Sequence, residues 1–67
     1  MDPKEIFELI IKADEKLKYA TGANVGLRQE QARALLEQAR DEARSIGNDA
    51  LVQQAETRLA DLGSAEG

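Results

Sequence analysis

Residues 31–44 read Gln31-Ala32-Arg33-Ala34-Leu35-Leu36-Glu37-Gln38-Ala39-Arg40-Asp41-Glu42-Ala43-Arg44, and this stretch decides the fold. At about 100° per residue, Ala32, Leu35, Leu36, Ala39, Ala43 and the following Ile46 fall on one side of a helix, and the opposite side is almost entirely charged. The apolar side alternates small and large groups. A neighbouring helix can come close at the alanines and interlock at the leucines.

The helix ends at Gly47, which suits the left-handed position after a helix. Asn48 immediately caps the next helix, with Asp49 in its first turn where a carboxylate suits the helix dipole. That third helix carries Leu51, Val52, Ala55, Leu59 and Leu62 on one face and stops at Gly63, leaving residues 64–67 as a short frayed tail. So short a junction folds the second and third helices back on each other as an antiparallel pair.

Before the central stretch, Asp2-Pro3-Lys4-Glu5 reads as a helix start. Asp2 accepts from first-turn amides, Pro3 suits the first helical position, and Glu5 completes a capping box. Ile6, Leu9, Ile10, Ala13, Leu17 and Ala20 line one face of the helix that follows. Thr21-Gly22 stops it, with Gly22 expected in the left-handed conformation. Ala23 to Leu27 is then a connector in which Val25 and Leu27 tuck over the end of the core, and the second helix begins within about 25–29. The expected architecture is all-α: one domain over residues 1–67, a three-helix up-down-up antiparallel bundle with helices at about 3–20, 28–46 and 49–62.

Phe7 and Ile11 do not fit the stripe of the first helix. Either the stripe is wide because that helix packs against two neighbours, or the pair is exposed and makes a sticky patch for a partner or a second copy. With Asp14 and Lys18 at the same spacing, Phe7 and Ile11 form the candidate partner surface. A weaker candidate is the stripe Arg33, Arg40 and Arg44, which could capture an acidic peptide. The acids beside it compete, through Glu30–Arg33, Glu37–Arg40 and Asp41–Arg44 three apart and Arg33–Glu37 four apart, each pair contributing a few tenths of a kcal/mol. Tyr19 carries the one aromatic hydroxyl and either covers the loop at Val25 or lies exposed.

Composition narrows the function. Hydrophobic residues make up 42% of the 67, but eleven of them are alanine, which leaves a thin core. A core of this size yields a net stability of roughly 3–5 kcal/mol. With no cysteine and no histidine, thiol chemistry, disulfides, the usual general base and the commonest metal ligand are all missing. The adjacent acids Asp14/Glu15 and Asp41/Glu42 diverge round their helices and do not converge as a catalytic pair must. No acidic loop has calcium-ligand spacing, and Gly22 and Gly26 lack the strand and lysine of a phosphate loop. The expectation is a protein that is not an enzyme, with no cofactor, no metal and no small-molecule substrate.

The net charge of −4, with the four lysines at or before Lys18 and the five arginines from Arg28 onward, all interleaved with acids, speaks against nucleic acid as a partner. No secretion signal or membrane-length apolar run stands in the chain, so a cytoplasmic protein off the membrane is expected.

The spacing Ala32-x3-Leu36-x2-Ala39 resembles the second helix of a tetratricopeptide repeat, and Ala13 stands where that repeat's first helix keeps a small residue. The passage from Ala32 through Ile46-Gly47-Asn48 to Ala55 resembles the step from one repeat into the next. The chain departs from the pattern in having no aromatic at Leu9, no proline closing the second helix, and a long connector from Gly22 to Leu27. In style the chain also resembles small bacterial helical proteins, which adds no mechanism. The repeat resemblance implies one helical hairpin plus a capping helix, and protein interaction through the first helix.

From the residues, the leading expectation is a non-enzymatic interaction or assembly module that engages a protein partner or a second copy, as a homodimer, through helix one. The alternatives are a stand-alone fold (a design, a fragment or a truncated repeat) with Phe7 buried and no binding function, and a small acidic regulator of a basic protein surface.

Overall fold

The computed structural model describes residues 1–66, with side chains as far as Leu62. Three helices follow one another, α1 (Pro3–Lys18), α2 (Val25–Ser45) and α3 (Asp49–Glu66), and no strand occurs among the described residues. They pack as an antiparallel up-down-up bundle with α2 in the middle. α1 and α3 both lie along α2 and meet each other only slightly. The outline is accordingly flattened, 37 × 22 × 13 Å.

The core is the meeting of three stripes. Ile6, Ile10 and Ala13 come from α1, Ala32, Leu36, Ala39 and Ala43 from α2, and Leu51, Ala55 and Leu62 from α3; all are buried. Leu9, Leu17, Leu35, Val52 and Leu59 pack around them, partly covered. Five of the ten buried residues are alanines, so there is little side-chain bulk between the helices. No polar or charged side chain is buried among the described residues.

Local signals set most of the helix ends. The Asp2 carboxylate accepts from the Glu5 N–H at 2.8 Å while Glu5 Oε1 accepts from the Asp2 N–H at 3.3 Å, the reciprocal capping box expected at that start. At the far end of α2, the Asn48 N–H donates to the Ala43 carbonyl at 2.9 Å and the Gly47 N–H to the Arg44 carbonyl at 3.1 Å. With Gly47 at φ 71°, these two bonds form a Schellman motif. Asn48 Oδ1 then accepts from the Leu51 N–H at 3.1 Å. One helix is closed and the next is capped by adjacent residues.

The first connector differs from expectation. α1 ends at Lys18, two residues early, and Gly22 does not take a positive φ. Asparagine closes this turn in place of glycine. Asn24 Oδ1 accepts from the Thr21 N–H at 2.8 Å and from the Thr21 hydroxyl at 3.1 Å, and the Asn24 N–H donates to the Thr21 carbonyl at 3.0 Å. The Asn24 carbonyl then takes the Arg28 N–H at 2.9 Å, so α2 starts at Val25 and absorbs Gly26 in its first turn.

On that helix Val25 and Leu27 do not plug the core; they are exposed, Leu27 by 58%. Ile46, expected on the apolar stripe, sits at the helix cap and is exposed too. α3 runs on through Gly63 to Glu66, past the expected stop. The side chains of the expected tail 64–67, and Gly67 altogether, lie outside the described residues.

Gly47 and Gly22 make a matched test. A Cβ at either would meet nothing within 4 Å, so only backbone conformation separates them. Gly47→Ala should destabilise by about 1–2 kcal/mol because its left-handed φ penalises an L side chain. Gly22→Ala should be neutral or stabilising by up to ~1 kcal/mol. Thermal unfolding followed by circular dichroism reads both.

Candidate interaction surface on α1

Phe7 and Ile11, one turn apart on α1, are exposed by 43% and 38%. The structure therefore selects the second of the two expected readings: the stripe of α1 is not widened to bury them. The reason is the flat arrangement. α3 lies along α2 and meets α1 only slightly, so it leaves Phe7 and Ile11 uncovered. The pair lines a shallow depression of about 390 Å³ with Lys4, Glu8, Lys12 and Glu15, all on α1.

The other two members of the expected surface do different work. The Asp14 carboxylate accepts from Arg58 Nε at 3.0 and 3.2 Å, one bond to each oxygen. Arg58 also donates through Nη1 to the Gln54 carbonyl at 3.3 Å. This joins α1 to α3 across 44 residues of sequence. Lys18 is exposed at the end of α1, with its Nζ 5.6 Å from the centre of the Tyr19 ring, within cation–π range. Phe7, Ile11, Asp14 and Lys18 thus share a flank, but Asp14 is a structural tie.

The arginine stripe of α2 is occupied from within. Arg40 Nε lies 3.2 Å from Asp41 Oδ1, and Arg44 Nη2 lies 3.0 Å from Glu56 Oε1 on α3. Arg33 is half-buried and also has an interaction partner within the chain. Among the described residues the expected Glu37–Arg40 and Asp41–Arg44 pairs give way to these: Arg40 turns to its neighbour Asp41, and α3 brings Glu56 within reach of Arg44.

A third cationic group was not visible in the sequence. Lys12 and Lys16 on α1 and Arg28 in the first turns of α2 line one cleft of about 310 Å³ with Glu15, Tyr19 and Leu35. No ion pair involves any of these three cations among the described residues. The antiparallel α1–α2 hairpin makes this cluster by laying the end of one helix beside the start of the next. Lys12 and Lys16 four apart was a partial signal; that Arg28 joins them depends on where α2 begins.

Among the described residues, no group of three potential ligands could hold a metal ion. No helix is long and apolar enough to cross a membrane. Comparison with known protein families, with curated proteins and with solved structures gave no match to this chain.

The Asp14–Arg58 tie is half-exposed on both sides, so its strength is limited by solvent. A double-mutant cycle with Asp14→Ala and Arg58→Ala, read by urea unfolding, should give a coupling of no more than ~1 kcal/mol, shrinking at high salt.

Proposed function

We propose that this chain is a non-enzymatic protein-interaction module whose docking face is the exposed flank of α1. The observation that carries this reading is the Phe7/Ile11 pair, two large apolar side chains held one turn apart beside a depression and left open to solvent. Single exposed hydrophobes need no explanation, whereas a contiguous apolar patch rimmed by polar groups is the form an interaction surface takes, and this pair has that form on a small scale. A stand-alone fold without a binding surface expects Phe7 buried, and its exposure favours the interaction reading.

In this proposal α1 and α2 act as one helical hairpin and α3 as its capping helix, the arrangement implied by the tetratricopeptide-like spacing of Ala32, Leu36 and Ala39. The thin core adds weight. A domain with so few large buried groups gains stability whenever a partner binds its folded form.

The test pairs affinity capture by the intact chain with sedimentation over a wide concentration range. A specific bound species, or self-assembly, should weaken about tenfold or more in the Phe7→Ser/Ile11→Ser variant, as loss of a central apolar anchor does. The variant should keep its helical circular dichroism spectrum. Capture and assembly that are the same in both proteins would overturn the reading.

A further inference from the structure

We infer that the partner is an acidic, amphipathic segment of another protein, which sets an apolar side chain against Phe7 and Ile11 and its carboxylates among Lys12, Lys16 and Arg28. The inference rests on the reading of α1 as a docking face and adds the chemistry of what docks.

Two observations carry it. The first is continuity: Lys12 and Glu15 line both the apolar depression and the cationic cleft. The two therefore adjoin round α1: Phe7 and Ile11 stand on its outer side, and Lys12 and Lys16, about 100° or more further round by helical spacing, line the cleft toward Arg28 on α2. A ligand complementary to both needs an apolar group and, reaching round the helix toward α2, negative charge.

The second is the state of the cations. Arg40, Arg44 and Arg58 are spent on Asp41, Glu56 and Asp14, whereas Lys12, Lys16 and Arg28 have no acid paired with them among the described residues. Arg28 moreover stands at the start of α2, a helix with no acidic residue in its first turn and no side-chain cap on its N-terminal amides. The positive end of the helix dipole favours an anion there, and the chain supplies a cation instead. Lys16 and Lys18 suit the negative end of α1, but Arg28 has no such justification within the chain. Glu15 is the one acid lining the cleft, against three cations, so the local charge stays positive on a protein whose net charge is −4.

The occupant is set by the combination. Inorganic anions would use the cleft and leave the apolar half empty. A second copy would have to bring an unpaired acidic flank of its own. Carboxylates are recognised well by arginine and by lysine pairs at a partly desolvated wall, here the Leu35 side chain and the Tyr19 ring.

The experiment uses the full 67-residue chain, labelled for amide and side-chain NMR. It is titrated with three blocked synthetic peptides: two leucines followed by four glutamates, the same leucines followed by four lysines, and four glutamates without leucines. At about 5 mM peptide even a millimolar complex is populated. The leucine–glutamate peptide should shift signals at Phe7, Ile11, Lys12, Lys16 and Arg28, and bind at least about tenfold more tightly than either control. Its affinity should fall with salt. A Lys16→Ala/Arg28→Ala variant, checked for an unchanged melting curve, should weaken it at least about fivefold.

The inference is overturned if the lysine peptide binds as well, if the shifts map elsewhere, or if none appear. It is also overturned if the chain self-associates through this face and the acidic peptide does not compete. Its failure is separable from that of the docking face itself. Binding sensitive to Phe7→Ser but blind to the charge of the peptide removes only the acidic partner. Binding or assembly indifferent to Phe7→Ser removes the docking face.

Discussion

Everything in this fold depends on one seam of small residues. Ala32, Ala39 and Ala43 are fully buried on α2, with Leu36 the single large group fully enclosed among them. Alanine contributes little area to the hydrophobic effect, so this seam does not stabilise by bulk. It stabilises by permitting two other helices to approach α2 closely enough for Ile6 and Ile10 on one side, and Leu51 and Leu62 on the other, to be covered. Enlarging any of these alanines would push a helix outward and uncover leucines and isoleucines at a distance. Alanine also has the best helix propensity, which helps α2 stand between neighbours that supply little packing of their own.

That central position explains why α1 has an open flank. α2 has a neighbour on each side of its one buried stripe, whereas α1 lies on α2 and meets little else. Phe7 and Ile11 stand on the side of α1 that this leaves open. Charge is distributed unevenly over the same geometry. α3 takes two ion pairs, Arg58 with Asp14 on α1 and Glu56 with Arg44 on α2. In the cleft between α1 and α2, Lys12, Lys16 and Arg28 make no ion pair among the described residues.

The parts of this structure legible in the sequence are those decided by a few neighbouring residues. The Asp2–Glu5 capping box and the Gly47-Asn48 joint are complete within a handful of positions, and both stand as their residue types require. The three apolar stripes were legible because a helix repeats them several times over. Other features needed the third dimension. Whether Phe7 was covered turned on where α3 settled, and Arg28 joined Lys12 and Lys16 only because α2 starts at Val25. That start was obscured because Asn24, an ordinary helix cap by type, turns its side chain back onto Thr21. The same two residue types closed one turn with a glycine and another with an asparagine, and composition alone does not distinguish them.

The Gly47-Asn48 joint has a consequence for how the chain reaches this structure. With α2 and α3 tied by a Schellman turn and an immediate cap, bringing them together costs little loop entropy. The joint to α1, residues 19–24, is longer and held by the side-chain bonds of one asparagine. Loop length alone therefore favours closure of the α2–α3 pair over the α1–α2 pair, by roughly 0.6 kcal/mol for a doubling of the loop. α1 for its part buries Ile6, Ile10 and Ala13 completely. The short joint thus biases which helices meet first, not which contact is the stronger.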